Sequence, residues 1–266
     1  MKFCYDLTDV APYINWVYFY FAWQVKQPKE QQRLRREAEL FLTSLAGKYH
    51  TFALVSIEEA FSEGDDIVLA GSGVHLPFLR QQSGTPCYCL SDFIAPQHAD
   101  VPDIYHHLAL FATSVDQSME RDFDMDPYQK MMAQLLADRL AEATAELVHE
   151  QVRKKLWGYA PDEHLSISEM QLEHFQGIRP AVGYPSMPDN SLNFLLNELL
   201  DFGKIGITLT ESAAMRPHAS VSGLMLAHPD AHYFAVGKIG EDQLRDYACR
   251  RQLPLDHVRK FLISNL

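Results

Sequence analysis

Cysteine is scarce in this sequence. The 266 residues include only Cys4, Cys87, Cys89 and Cys249. The single residue between Cys87 and Cys89 fits neither a zinc knuckle nor a redox Cys-x-x-Cys pair. A small secreted fold held by several disulfides is therefore disfavoured. Reduced thiols and a cytoplasmic location are the simplest interpretation.

Long hydrophobic runs are also missing. The most apolar stretch, residues 14–23, has about half the length that a membrane-spanning helix needs. Asp6 and Asp9 stand near the start, and no small-residue cleavage site follows an apolar run, as a signal peptide would require. We therefore expect neither a membrane span nor a secretion signal.

Positive charge is in the minority. The chain carries 23 lysines and arginines against 35 acidic residues, and its formal net charge is -12. A protein that binds the phosphate backbone of nucleic acids needs a basic face, so this balance disfavours that class. Apolar residues make up 47% and charged residues 22% of the chain, which is ordinary for a globular protein.

Common catalytic motifs are incomplete. His149-Glu150 resembles the start of a zinc-protease motif, but Arg153 stands where the second histidine belongs. The Gly-Ser-Gly of residues 71–73 lacks the third glycine of a dinucleotide-binding loop. The residues around Ser222 do not form a Gly-x-Ser-x-Gly nucleophile elbow. None of these segments therefore completes a catalytic motif, and the sequence predicts no metal site.

Hydrophobic periodicity predicts an α+β fold. Helices are predicted at residues 10–24, 29–46, 126–156, 168–175, 190–202, 240–251 and 254–263. Strands are predicted at residues 51–57, 66–69, 87–93, 106–115, 206–210, 221–227 and 233–236. Strands and helices come in clusters, which favours a twisted, mainly antiparallel sheet flanked by helices over a doubly wound fold. Without a repeat or a linker, we expect a single domain over residues 1–266.

Two of the predicted helices have particular features. Residues 10–24 are apolar on all sides, which predicts a buried helix that Pro12 opens. The helix at 126–156 has Asp126 as a capping residue and Pro127 in the favoured first position.

The best candidate for a ligand loop is the proline-rich run at residues 177–188. Three prolines stiffen this segment, and Gly183 allows a backbone conformation that other residues avoid. Preorganised backbone lowers the entropy that binding costs, and Arg179 is suited to hold a carboxylate or phosphate with two hydrogen bonds. On composition alone, an ordinary surface loop with an exposed arginine is the more frequent outcome.

A second candidate is Glu142, inside the predicted helix 126–156 and among apolar neighbours. A carboxylate there is suited to face a cationic amine or sulfonium. The alternative is an exposed glutamate, but the residue one turn on is Glu146, which would repel Glu142. Small polar residues at 208–212 and 220–223 suit close approach to a ligand, and equally well suit turns.

The run Gly-Ile-Arg-Pro-Ala-x-Gly-Tyr-Pro-x-x-Pro at 177–188 resembles the signature loop of the activation domain of cobalamin-dependent methionine synthases. Further resemblances follow in order along the chain, at residues 64–67, 79–82, 89–96, 136–146, 157–160, 209–212, 219–223, 228–229, 233–239, 242–248 and 265–266. The resemblance thus covers nearly the whole chain.

The resemblance implies a set of ligand-binding residues. Arg179 matches the arginine that holds the carboxylate of S-adenosylmethionine, and Glu142 matches an acidic residue at that ligand. Tyr233 and Phe234 match the pair on the adenosyl side, and Ala181 is expected to contribute backbone contacts. The protein's contribution to the chemistry would be orientation rather than acid–base catalysis.

The sequence departs from the family pattern at several matched positions. Tyr184 matches the tyrosine that approaches the corrin, but Asn15 replaces a usual aspartate at the ligand. An asparagine removes a charge opposite a cation, so affinity is expected to fall by ~1–2 kcal/mol. Asn190 replaces a usual histidine, Met187 a usual cysteine and Arg216 a usual tryptophan.

The resemblance also implies a function and partners. The domain would bind S-adenosylmethionine and support reductive methylation of cob(II)alamin, as the methyltransferase component of methionine biosynthesis. Because the sequence contains only the activation domain, the cobalamin is expected on a separate methionine synthase chain that lacks this domain. Flavodoxin or a similar donor would supply the electron. Two alternatives stay open: an adaptor that has lost S-adenosylmethionine binding, and a reactivator of a different corrinoid methyltransferase.

Overall fold

A six-stranded antiparallel sheet forms the centre of the molecule. The computed structural model describes residues 1–266, apart from the side chain of Glu120. The strands are β1 (Lys2–Asp6), β2 (His50–Glu63), β3 (Asp66–Leu69), β4 (His75–Pro77), β5 (His107–Val115), β6 (Thr208–Leu209), β7 (Met215–Arg216) and β8 (Ser220–Met225). The main path through the sheet is β4-β3-β2-β5-β8, with β1 also paired to β2, while β6 and β7 form a separate ribbon. The predicted α+β class with an antiparallel sheet is confirmed.

Helices cover the sheet. The α-helices are α1 (Leu7–Val10), α2 (Trp16–Ala22), α3 (Pro28–Leu45), α4 (Ser118–Arg121), α5 (Pro127–Gln151), α6 (Ile167–Gln171), α7 (Leu192–Leu200), α8 (Glu241–Arg250) and α9 (Leu255–Phe261). On β5, alternate side chains serve opposite faces of the sheet, as the two-residue period of a strand requires. Phe111 packs into a core with α5, whereas Leu110 packs into a second core with α7.

Helix α5 is capped at its first turn and is hydrogen-bonded to the sheet. Asp126 caps it by accepting hydrogen bonds from the backbone amides of Tyr128 (2.9 Å) and Gln129 (3.1 Å), and Pro127 takes the first position, as predicted. The Thr113 hydroxyl of β5 donates to the carbonyl of Ala141 (3.0 Å), which ties the helix to the sheet. The α-helical part ends at Gln151 and continues as a π-helical turn over Val152–Leu156.

The prediction of one buried helix at residues 10–24 is wrong. The segment is split into the end of α1, a 3₁₀ turn at Ala11–Tyr13 and α2. Asn15 separates the last two, because its side-chain oxygen accepts from the Val17 amide (3.1 Å) and so starts a new helix. Val17 and Phe21 are 70% and 82% exposed, so the apolar composition of this segment did not lead to complete burial.

Two predicted strands are also wrong. Residues 87–93 contain a 3₁₀ turn at Leu90–Phe93, where the carboxylate of Asp92 accepts from the Cys89 amide (2.8 Å). Residues 233–236 are irregular, because their backbone groups bond to two separate segments. The carbonyl of Ala235 accepts from the Gln81 side chain (2.8 Å), and the Val236 amide donates to Pro185 (2.9 Å). The other predicted elements are present. The strand predicted at 66–69 coincides with β3, whereas the rest have shifted ends, and β2 continues to Glu63, beyond its predicted end at residue 57.

His149 on α5 makes the stability of the fold depend on pH. Its ring is completely buried, 3.4 Å from the Tyr159 hydroxyl, and burial followed by the charges of Arg153 and Arg179 holds its pKa well below 6.5. As pH falls below about 6.5, His149 therefore becomes protonated in the unfolded chain but stays neutral in the folded chain. This difference lowers the free energy of unfolding by roughly 1 kcal/mol per pH unit. Urea unfolding between pH 7.5 and 5.5 measures this slope.

A substitution distinguishes the contribution of His149 to this pH dependence from that of the other histidines. His149→Gln is expected to reduce the loss of stability between pH 7.5 and 5.5, because the variant has no proton to take up at this position. His164→Gln, at an exposed position, serves as the control and is expected to leave the slope unchanged. An equal slope in wild type and His149→Gln would assign the pH dependence to other groups.

Candidate functional site

A cleft of about 720 Å³ lies between α5, the loop at 177–186 and the irregular segment at 233–235. The structure brings to this one cleft all of the residues that the sequence predicted for the ligand: Asn15, Glu142, Arg179, Ala181, Tyr184, Tyr233 and Phe234. These residues come from segments far apart in the sequence. Their convergence makes the cleft the candidate functional site, while their individual roles stay predictions.

The loop at 177–188 reaches the cleft because it is bonded along β8. Ile178 and Leu226 exchange backbone hydrogen bonds of 3.0 and 2.9 Å, and the Leu224 amide donates to the carbonyl of Pro180 (3.0 Å). A Cβ atom on Gly223 would lie 2.1 Å from that Pro180 oxygen. A glycine is therefore required at position 223 for the loop to lie this close to the strand.

Glu142 and Glu146 lie one turn apart on α5 and both face the cleft. Glu142 accepts a hydrogen bond from the Tyr184 hydroxyl (2.7 Å). Glu146 accepts from Nη2 of Arg179 (2.9 Å). Each carboxylate thus has its own partner, which offsets the repulsion expected from their spacing. Glu146 was missed as a site residue, although its spacing from Glu142 and their shared helix face were the signal for it.

Arg179 is held between the loop and the helix. Its side chain is only 12% exposed, and Glu146 at 16% is almost as buried. Burial opposes the charge of Arg179, but Glu146, Tyr233 and Glu142 outweigh burial and raise the pKa of the guanidinium. Within the described part of the chain, only Nη2 of the guanidinium is hydrogen-bonded, and the buried Nε has no partner. The predicted arginine is therefore shared with a protein carboxylate rather than free on all sides.

Tyr233 and Phe234 form a further wall of the cleft. The hydroxyl of Tyr233 accepts from the backbone amide of Arg179 (2.9 Å), and burial raises the pKa of this tyrosine, which keeps it neutral. Phe234 packs among aromatic rings, with centroid distances of 6.1 Å to Tyr88 and 6.4 Å to Phe93. This wall therefore combines a flat apolar ring with a tyrosine that fixes the loop.

Tyr184 lies at the rim of the cleft and is 51% exposed. Burial of its remaining surface and the neighbouring Glu142 raise the pKa of Tyr184, so its hydroxyl is a neutral hydrogen-bond donor. A second groove of about 330 Å³ adjoins the rim and shares Glu142 and Tyr184 with the cleft; it also contains Asn190. Of the other departures from the family pattern, Met187 is buried in the core, whereas Arg216 is exposed on β7.

The wall of the cleft has a mixed charge. Its carboxylates are Glu142, Glu146 and Glu173, and its guanidiniums are Arg139 and Arg179. Burial and the charge of Glu146 raise the pKa of Glu173, while Arg179 opposes this shift. Acidic groups thus slightly outnumber basic ones, which favours a ligand with positive charge. Like Glu146, Glu173 and Arg139 were not found by the sequence reasoning.

The described residues contain no group of three or more histidine, cysteine, aspartate or glutamate side chains placed to hold a metal ion. None of their helices combines the length and apolar character needed to cross a bilayer. A concave site with a few convergent polar groups is the usual form of a small-molecule site, and the cleft has this form.

Comparison with known proteins agrees with the sequence resemblance. Residues 6–252 match the family described as the activation domain of vitamin B12-dependent methionine synthase. A crystal structure of the MetH reactivation domain bound to AdoHcy (S-adenosylhomocysteine) superposes with a TM-score of 0.91 at 36% identity. The similarity covers 100% of this chain and 90% of that one. The chain belongs to the family of vitamin B12-dependent methionine synthase activation domains.

Proposed function

We propose that the cleft binds S-adenosylmethionine and presents its methyl group to a cobalamin carried by a separate methionine synthase chain. In this role the domain supports reductive methylation of cob(II)alamin, with flavodoxin or a similar donor as the source of the electron. The convergence of the seven predicted residues on one cleft carries the proposal. The AdoHcy bound by the related MetH domain adds support, because it is the product that S-adenosylmethionine becomes on losing its methyl group.

The residues present fit this ligand. A volume of about 720 Å³ lies within the range of roughly 300–1,000 Å³ that is typical of small-molecule sites. S-adenosylmethionine carries a carboxylate, an ammonium and a sulfonium, so its net charge is positive. The cleft opposes this charge with three carboxylates against two guanidiniums. Arg179 supplies a buried cation for the single negative group of the ligand.

The chain's own residues would act by orientation. Arg179 and the wall formed by Tyr233 and Phe234 fix the two ends of the ligand, which leaves the sulfonium near Glu142 and the rim. When bound by the partner, cobalamin supplies the cobalt nucleophile that accepts the methyl group. Holding the reactants in one geometry converts a bimolecular step into an effectively unimolecular one, which suffices because a sulfonium is already a good methyl donor. Tyr184 is half exposed at the rim and would face the corrin.

The proposal is tested in two stages. Calorimetric titration with S-adenosylmethionine is expected to show binding at one site. The protein is then mixed with a methionine synthase chain that lacks this domain and holds cob(II)alamin, together with reduced flavodoxin. We expect the cob(II)alamin absorbance to disappear only when S-adenosylmethionine and this protein are both present. Failure to bind S-adenosylmethionine would overturn the proposal.

A pull-down of the corrinoid chain, together with the absorbance measurement of the second stage, separates the alternative functions. An adaptor that has lost its ligand would bind the corrinoid chain equally well with and without S-adenosylmethionine. Asn15 and Asn190 in place of the usual charged or ionisable residues favour this alternative. A reactivator of another corrinoid methyltransferase would bind S-adenosylmethionine but change the spectrum of that protein and not of methionine synthase.

Asn15 offers a gain-of-affinity prediction. Its side chain lines the cleft and caps α2, and aspartate is an equally good capping residue, so Asn15→Asp preserves the local structure. The new negative charge is expected to tighten S-adenosylmethionine binding by about 1–2 kcal/mol, or roughly 5- to 30-fold. Titration with S-adenosylhomocysteine, which has no sulfonium, is expected to show a smaller gain. An equal gain for both ligands would place the added charge away from the sulfonium.

A further inference from the structure

Arg179 and Glu146 form a buried pair of opposite charges at the inner wall of the cleft. Nη2 of Arg179 lies 2.9 Å from Oε2 of Glu146, and both side chains are among those that line the cleft. Each of them also has a buried polar atom without a partner among the described residues, namely Nε of Arg179 and Oε1 of Glu146. A buried polar group without a partner costs free energy, so the pair has unused hydrogen-bonding capacity.

The spacing of this pair matches the zwitterionic end of an α-amino acid. The α-carboxylate and α-ammonium of such a ligand are bonded to the same carbon, so their charges lie about as far apart as the charges of the two side chains. When the zwitterion lies beside the Arg179–Glu146 pair, its carboxylate faces the guanidinium and its ammonium faces the carboxylate of Glu146. Charge-assisted hydrogen bonds of this kind are roughly twice as strong as neutral ones. The Glu146 side chain lines the cleft and keeps 16% of its surface exposed, so an ammonium in the cleft can approach this carboxylate.

The other carboxylates near the cleft are less suited to this role. Glu142 is bonded to Tyr184 at the rim, towards the position proposed for the sulfonium. Glu150 is bonded to Tyr13 and Lys154 and does not line the cleft. Glu173 makes no hydrogen bond to Arg179 among the described residues. Glu146 is the carboxylate in direct contact with the guanidinium that would hold the ligand's carboxylate.

We propose that Glu146 is a specificity-determining residue that binds the α-ammonium of the ligand, so that Arg179 and Glu146 together recognise its amino-acid end. This inference rests on the proposed function, because it assigns one end of the same ligand. It predicts selection for adenosyl sulfur compounds that carry a complete zwitterion. A compound without the ammonium would make no hydrogen bond with Glu146, and Glu146 would then repel the ligand's carboxylate without an attraction to offset this repulsion.

The test compares two ligands in wild type and in Glu146→Gln. The ligands are S-adenosylhomocysteine and its desamino analogue, in which hydrogen replaces the α-ammonium. Wild type is expected to bind S-adenosylhomocysteine about 10- to 100-fold more tightly than the analogue, the usual effect of a hydrogen bond to a charged group. In Glu146→Gln this preference is expected to shrink to within about threefold, because affinity for S-adenosylhomocysteine falls while affinity for the analogue is retained.

The comparison distinguishes specificity from a purely structural role. Glutamine retains an oxygen that accepts from Arg179, and thermal unfolding establishes that the variant is folded. If Glu146 only positioned Arg179, both ligands would lose affinity equally, and this outcome would overturn the inference. Equal affinity of wild type for the two ligands would overturn it without any variant. Binding of neither ligand, and of no S-adenosylmethionine, would instead remove the proposed function itself. Glu198→Gln, an exposed helical position on α7, is the control and is expected to change neither affinity.

Discussion

Replacing Arg179 by methionine is expected to lower the affinity for S-adenosylhomocysteine by about 100-fold or more. Methionine preserves much of the side-chain volume but removes the buried guanidinium that pairs with Glu146 at the wall of the cleft. The ligand's carboxylate would then lie beside an unpaired protein carboxylate, so lost attraction and new repulsion add. Calorimetric titration of wild type and variant measures the difference directly.

Stability must be measured together with affinity, because Arg179→Met leaves Glu146 buried without a partner. Losing one member of a buried pair costs about 3–5 kcal/mol, so the double variant Arg179→Met, Glu146→Gln is the better probe of binding. It removes both charges, is expected to recover most of the stability, and should still bind ligand weakly. Arg259→Met breaks an exposed pair with Glu241 and serves as the control. Ligand affinity within threefold of wild type in the folded double variant would exclude Arg179 from the site.

The sequence was most informative where the local pattern and the tertiary structure agree. The capping aspartate, the first-turn proline and the apolar period of α5 fixed that helix almost to its end, because all three are local signals. The antiparallel sheet followed from the clustering of strand-like segments, since β2 and β3 form a simple hairpin across Gly64. The π-helical turn at Val152–Leu156 had no such local signal.

The errors have a common physical origin. Residues 233–236 are composed like a strand, but their backbone partners are the Gln81 side chain and Pro185, which only the tertiary structure brings near. The apolar segment at 10–24 was expected to be buried, but Asn15 starts a new helix and leaves Phe21 in solvent. Composition indicates which secondary structure a segment favours. The observed conformations depend instead on the hydrogen-bond and packing partners that the tertiary structure brings next to the segment.

At the candidate site, too, some residues were predictable from the sequence and others depend on tertiary contacts. Family resemblance identified residues that the structure places around one cleft, although periodicity alone would not have joined Asn15 to Tyr233. The spacing of Glu142 and Glu146 on one helix predicts repulsion, but spacing alone does not indicate a partner for each carboxylate. The structure supplies those partners in Tyr184 and Arg179. A pair of like charges on one helix face is therefore a reason to look for cations and donors opposite it.

The second large effect is expected from Gly223→Ala, which acts on the site through the backbone. An added Cβ would lie 2.1 Å from the carbonyl oxygen of Pro180 and 2.8 Å from Cα of Ala181. Both are backbone atoms of the loop that carries Arg179, and they cannot move aside as a flexible side chain would. We expect a loss of about 1–3 kcal/mol in the free energy of unfolding, as for other overpacked positions.

The same substitution is expected to weaken S-adenosylhomocysteine binding by at least about tenfold, because a displacement near 1 Å is enough to spoil a preorganised contact. The loop can yield only by giving up the hydrogen bonds of Pro180 and Val182 to β8, and these bonds set the position of Arg179. Gly71→Ala is the matched control, since no atom lies within 4 Å of its added Cβ and its φ is not positive. Urea unfolding and calorimetric titration of both variants measure the two effects. Wild-type affinity in Gly223→Ala would mean that the loop's contact with β8 does not position the arginine, and that the coupling of the sheet to the cleft lies elsewhere.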